Sequence, residues 1–516
     1  MCMNIQRVLA LAVVLGLCVP GASAPVKERP ISGYIAAFPS ESAAAREARH
    51  AKIAERRAGP IVIVHRGASA FAPENTLEAY AAAMDYGADG CEIDPRRTAD
   101  GVIVLFHDDM LENLTNGFGS VNQLTYYELL QLKRRSVYGT ATRETGIPTL
   151  VSLLELARQR AMLLHLDLKE PGMAADIAKL LDEADMWDAV VALNTNNAGD
   201  LLTDPKTKLL SFKAPGLYED RSDVDEAAVK DALAKPGEMI ILDDPRVATR
   251  VLGRPPYQPV PIPKNLRADW APAHSPAAGP ANFVNPNSVS DLVKLLNSSE
   301  YDRVNTSGNE KRQQDRAMGI VARGWAAERL ADIGRKTDEV AESLEYQVQH
   351  RSLHKNWMYH GLDGASAVRA LAALGAKESV PVMVSVLMNN DPRLSRVANP
   401  EYPDTPVSFL DWRIKTAIMQ ALGELPCDES KSALMAYLKL DEESARKLCF
   451  PMYADATKSL MKQRLSVSEI RELLLSPNRT IRGTAILECL DHPSNERTEA
   501  MSVVPWAREL PSAHSH

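Results

Sequence analysis

Two histidines and two acids come together within 44 residues of this 516-residue chain. Four short signatures carry them: His65-Arg66-Gly67, Pro73-Glu74-Asn75-Thr76, Glu92-Ile93-Asp94 and His107-Asp108. The grouping describes metal-assisted phosphoryl chemistry, in which carboxylates hold a hard cation and imidazoles exchange protons near neutral pH. Side chains alternate faces along a strand, so Glu92 and Asp94, two apart, point the same way and can share one ion.

The elements that must position these groups are legible around them. Ile61-Val62-Ile63-Val64 precedes His65, and Val102-Ile103-Val104-Leu105-Phe106 precedes His107. Both histidines are therefore expected at strand ends, where a barrel enzyme keeps its reactive groups. From residue 59 to residue 253, strand candidates at 61–65, 90–94, 102–107, 162–168, 189–193, 208–212 and 238–243 are separated by runs with helix period. Asn75-Thr76 precedes Leu77, Tyr80, Ala81 and Met84, and Pro148-Thr149 precedes Leu150, Leu153, Leu154 and Leu156, so each pair reads as a helix start. This alternation predicts a parallel sheet closed as an α/β barrel of the TIM type. The segment holds about 190 residues, short of the roughly 200–250 of a full barrel, so the barrel is expected to be shortened or partly open. A polar helix over 40–58 leads into it and carries no chemistry.

Nine prolines between 253 and 287 exclude a helix there, so 254–287 reads as a linker or extended strap. From 288 to 500 the pattern is helical throughout. Helix ends at Gly334, Gly375 and Gly423 lie 41 and 48 residues apart, and apolar helices over 380–387 and 432–438 follow the last two. Helix, turn and helix at this period predict an all-α solenoid, with 479–487 as a further unit. His350 and His354 are spaced i, i+4 on an expected helix, with His360 nearby, but no acid matches them and ordinary packing is the better reading.

A formal charge of −8 and the absence of a basic stripe give no nucleic-acid surface, and 5% aromatic content gives no stacking platform for bases. Arg7, the apolar run Val8 to Val19 and the small residues ending at Ala24 read as a signal peptide over 1–24, too short to span a membrane. Export to the periplasm or the extracellular space is the expectation, with no transmembrane segment in the mature chain. Cys91, Cys427, Cys449 and Cys489 then remain and read as free buried thiols.

Residues 61–170 resemble the glycerophosphodiester phosphodiesterase family. Its pattern H-R-G, P-E-N-T, E-x-D, T-x-D-G, H-D appears in order, with Thr98-Ala99-Asp100-Gly101 between the third and fourth signatures named above. It continues through Leu124-Thr125, Glu128-Leu129 and Ile147-Pro148-Thr149-Leu150 to His165-Leu166-Asp167-Leu168-Lys169. The segment Ile240-Ile241-Leu242-Asp243-Asp244-Pro245 is similar to the strand that closes the family's barrel. The later helices resemble HEAT repeats. The resemblance implies one divalent cation, Ca²⁺ or Mg²⁺, on Glu92, Asp94 and Asp167. It also implies His65 and His107 as general acid and base, and Arg66 and Lys169 as phosphate-binding residues. Oxygen ligands suit either of those ions better than zinc.

The chain departs from the family at three places. Asp167 stands where glutamate is usual, one methylene shorter. Glu112-Asn113-Leu114-Thr115 replaces an Arg-x-Thr signature near the entrance, and no W-T-V-N strand is visible between 195 and 238. The turn Pro73 to Thr76 reads mainly as a helix cap. Two functions of different class follow: an exported hydrolase of small glycerophosphodiesters whose repeats dock a protein or brace the barrel, or a repeat-based interaction protein whose barrel has lost or narrowed its activity. A neighbouring enzymatic alternative is a lipase of the phospholipase C or D type, which could yield a cyclic phosphate; an apolar rim at the mouth would favour it.

Overall fold

In the computed structural model the described residues are 35 and 37–510, except 109, 113, 116, 118, 133, 135–145, 195–200, 202–205, 207–225, 235–238, 256–257, 267–283, 300–317, 355–358 and 398–406. The expected signal peptide, the strand candidate 208–212 and much of the Pro-rich linker lie outside them. Seven strands are described: β1 (Ile61–Val64), β2 (Gly90–Ile93), β3 (Pro95–Arg97), β4 (Ile103–Leu105), β5 (Leu163–Leu166), β6 (Val190–Leu193) and β7 (Met239–Leu242).

Five strands form one parallel sheet in the order β6-β5-β2-β1-β7. Every residue of β1 and β7 is buried, because helices cover the outer face of a parallel sheet and its strands become continuous β-branched and aliphatic runs. Among the described residues β6 and β7 do not pair with each other, so the barrel expected to be shortened or partly open is a curled, incomplete sheet. The strand candidate at 102–107 is also reassigned. Its core, β4, pairs antiparallel with β3 in a separate two-stranded sheet, so His107 follows a hairpin and not a parallel strand.

The two predicted helix starts hold. Thr76 Oγ1 accepts from the Ala79 N–H at the head of Leu77–Asp85, and Thr149 Oγ1 accepts from the Ser152 N–H at the head of Leu150–Arg160. The polar helix Ala43–Ala58 is anchored to the sheet domain through buried Arg49, which donates to Glu41 and Asp185. Residues 258–266 run as a strap: the Gln258 N–H donates to the Asp85 carbonyl, while Ile262 and Leu266 pack on the sheet's core.

Beyond the linker the fold is helical, with a second core of its own. The first helices of successive units, Met318–Ile333, Leu362–Ala373, Trp412–Glu424, Tyr453–Met461 and Arg479–Asp491, stack each on the next in a solenoid-like array. Tyr453–Met461 with Val467–Leu474 is a unit the glycine pattern did not disclose. The expected helical pairing of His350 with His354 is corrected: the helix Asp338–Gln349 ends at His350, and buried His360 sets its ring against Asp411 and His354 as a packing residue. All four described cysteines are free.

The two regions are locked together. Arg246, fully buried, donates to Asp244 and reaches across to both oxygens of Asp491 at 2.7 and 3.0 Å. Its guanidinium lies 4.9 Å from the centre of the Phe71 ring. No described helix is long and apolar enough to cross a membrane.

Candidate active site

The polar groups converge because strand register carries them to one end of the sheet. In β2, Glu92 sits opposite His165 of β5, and just beyond the strands the Asp167 N–H donates to the Ile93 carbonyl, which sets Asp167 beside Asp94. The Phe106 N–H donates to the Asp94 carbonyl and draws His107 in from the hairpin. The His65 N–H donates to the Leu242 carbonyl and aligns His65 with Asp243. Arg66, Gly67 and Asn75 have φ of +56°, +80° and +54°. A Cβ on Gly67 would meet Ala79 at 2.8 Å, so only glycine fits this turn.

Glu92, Asp94 and Asp167 are buried and each offers an oxygen within 4.8 Å of the others'. Lys169 Nζ lies 3.0 Å from Asp94 Oδ1 and also contacts Asp167. Glu92 Oε2 and Asp94 Oδ1 have charged neighbours in His65 and Lys169 but no aligned hydrogen bond, and buried carboxylates are costly unless cations face them. Three clustered carboxylates fit a hard divalent ion. Burial first, and then neighbouring Asp94, pushes the Glu92 carboxyl up to about 7. Burial acts the same way on Asp94, but Lys169, His107, Arg66 and a 2.7 Å hydrogen bond from Asn75 Nδ2 outweigh it and hold that carboxyl well below its usual range.

The imidazoles stand in opposite electrostatic settings. His65 Nδ1 is 2.9 Å from Asp243 Oδ1 and Nε2 is 3.2 Å from Glu92 Oε2. Burial and Arg66 work against its charge, yet the two carboxylates prevail and raise its pKa above the ordinary 6.5. Burial and the cations of Arg66 and Lys169 lower that of His107, although Asp108 Oδ1 sits 2.7 Å from its Nδ1. His165, beside the cluster, is depressed to about 4 by burial. A cavity of about 670 Å³ reaches His65, Arg66, Glu74, His107, Asp108 and Asp243.

All seven residues singled out from the sequence therefore gather at one site. Five neighbours were given no role there: Glu74, Asn75, Asp108, His165 and Asp243. Thr76 does cap a helix as expected, but Asn75 reaches Asp94, and Glu74 lies 3.2 Å from Arg66. Asp243 follows β7 as His65 follows β1, and that shared place at a strand end was the signal that could have found it. The departure at Glu112 faces the helical region, where buried Glu112 and Asp108 both feel the guanidinium of Arg413.

Residues 65–213 match the model of the glycerophosphoryl diester phosphodiesterase family. The glycerophosphodiester phosphodiesterase of Caldanaerobacter subterraneus subsp. tengcongensis is 33% identical over 164 residues, which are 31% of this chain and 67% of that protein. The chain belongs to the glycerophosphodiester phosphodiesterase family. It is classed with the hydrolases of this type. The glycerophosphodiester phosphodiesterase of Bacillus altitudinis is 34% identical over 139 residues, 25% of this chain and 56% of that one. The chain thus spans about half to two thirds of the length of these curated relatives. Among solved structures it is similar to the glycerophosphodiester phosphodiesterase of Agrobacterium tumefaciens, with 23% identity, a TM-score of 0.32, and coverage of 37% of this chain and all of that one. The family match ends before the helical region begins.

Proposed function

We propose that this family member hydrolyses glycerophosphodiesters to an alcohol and glycerol phosphate, with His65 and His107 as proton carriers and Ca²⁺ or Mg²⁺ held by Glu92, Asp94 and Asp167. The observation that carries the reading is one cavity reaching both imidazoles beside three clustered buried carboxylates. When bound, the cation supplies Lewis-acid stabilisation of the charge that builds on the phosphoryl oxygens.

The chain's own residues account for the rest. Arg66, in the cavity wall, and Lys169, on the acidic cluster, bring fixed positive charge to a group whose negative charge grows in the transition state. His107, neutral near pH 7, takes a proton from the attacking water as its oxygen bonds to phosphorus. The bond from phosphorus to the alcohol oxygen breaks, and His65, whose protonated form Glu92 and Asp243 favour, gives that oxygen its proton. Export of the enzyme is part of the proposal and rests on residues 1–24 alone.

The pH profile of glycerophosphocholine hydrolysis tests these roles. His107 must be neutral, so activity is lost as pH falls through its lowered pKa, below 6.5. His65 must be protonated, so activity is lost as pH rises through its raised pKa, above 6.5. Asp243→Asn removes one of the carboxylates that raise His65 and should move the alkaline limb of kcat/KM to lower pH. An alkaline limb that stays in place, or moves up, would overturn the assignment of His65 as the acid.

A further inference from the structure

The helical region shares the cavity with the histidines. Phe409, Trp412, Phe450, Met452 and Tyr453 line its far side, more than 300 residues from His107 in sequence. We propose that these helices complete the active site with an apolar, aromatic subsite, and that the enzyme selects phosphodiesters carrying an acyl or alkyl arm. This rests on the phosphodiesterase reading and extends it to the substrate class.

Three observations support an apolar occupant. Phe450 is 42% exposed, one of few large apolar side chains left bare among the described residues, and its ring stands edge-on to that of Phe409 with centroids 6.3 Å apart. Tyr453 spends its hydroxyl on the Leu440 carbonyl at 2.9 Å, so its ring is what remains to offer. A cavity of about 670 Å³ has room for a drug-sized ligand, far more than a phosphate and a small polar arm need. Aromatic walls with acids nearby could instead seat a quaternary ammonium. Here, however, Glu442 is paired with Arg446 at 2.6 Å, and the Arg413 guanidinium lies 5.5 Å from the Trp412 ring. Asp455 and Arg479 add one charge of each sign. This wall thus carries as many guanidiniums as carboxylates and no excess of acids to draw a cation, and its aromatic and thioether side chains offer a ligand apolar surface.

Buried contacts across the two regions hold this wall against the site. Arg246 ties β7's end to Asp491, and Met110 of the sheet domain belongs to the helical core.

The test uses the full chain and two substrates with the same choline head, monomeric lysophosphatidylcholine and glycerophosphocholine. The expected kcat/KM is at least about tenfold higher for the acylated diester, since even one methylene in an apolar pocket changes discrimination by about tenfold or more. Phe450→Ala should cut that ratio about tenfold, and Phe450→Leu should restore part of it. In parallel, calorimetry compares octylphosphonate with methylphosphonate; the octyl compound should bind at least about tenfold tighter to the wild type, with the advantage reduced in Phe450→Ala. Octyl-selective, Phe450-dependent binding without hydrolysis of any diester would uphold the subsite and sink the catalytic reading. Equal binding of the two phosphonates, a ratio unmoved by Phe450→Ala, or a preference set by the choline cation irrespective of the chain would overturn the proposal.

Discussion

Replacing His107 with alanine is expected to lower kcat/KM for glycerophosphocholine by about 10²–10⁴-fold, the range over which a positioned acid or base acts. His107 meets the acidic cluster through Asp94, faces the cavity and is held below its ordinary pKa by burial and by Arg66 and Lys169. His65→Ala should cost a similar factor. It also leaves Glu92 and Asp243 without the imidazole between them, so its melting temperature must be measured alongside its rate. In the proposed mechanism the two histidines serve one proton circuit, so the double variant should lose little more than either single one. Folded single variants within threefold of wild type would remove the histidines from the chemistry.

Arg246→Ala is expected to destabilise the protein by about 3–5 kcal/mol, because removing one member of a buried ion-pair network strands the other charges. Asp244 is 2% and Asp491 9% exposed, and Arg246 bonds to both. The loss should appear as a lower urea midpoint. The companion Arg246→Met/Asp491→Leu should recover part of it, since apolar groups of similar size can replace a buried pair. A midpoint unchanged in Arg246→Ala would mean that the link between the sheet and the helices contributes little to holding them together.

The parallel strands β1 and β7 were legible because they are buried throughout and therefore read as aliphatic runs in the chain, while β5 shows the same pattern interrupted only by His165. Polar residues that break or end the apolar runs made Glu92, Asp94, Asp167 and His65 visible, and His107 stood out at the end of the apolar run of β4. Closure was not legible. A sheet's edges are set by pairing between residues far apart, and the short apolar run at β4 looks the same in a hairpin as in a barrel strand. Asn75 was read as local turn chemistry, yet its +54° backbone turns the side chain onto Asp94. The joining of Phe450 to the cavity that reaches both histidines lay beyond any local pattern, because only the tertiary packing of the two regions brings it there.

The central claim is that buried carboxylates, a divalent ion and two imidazoles cleave a phosphodiester. The most direct measurement is alcohol release from a panel of glycerophosphodiesters by the full chain, with and without EDTA. Hydrolysis that falls at least about 10²-fold in chelator and returns with Ca²⁺ or Mg²⁺ is the predicted result. Unaltered hydrolysis in EDTA would contradict the metal assignment, and a folded protein inert with every divalent cation would favour an interaction protein built on a silent barrel.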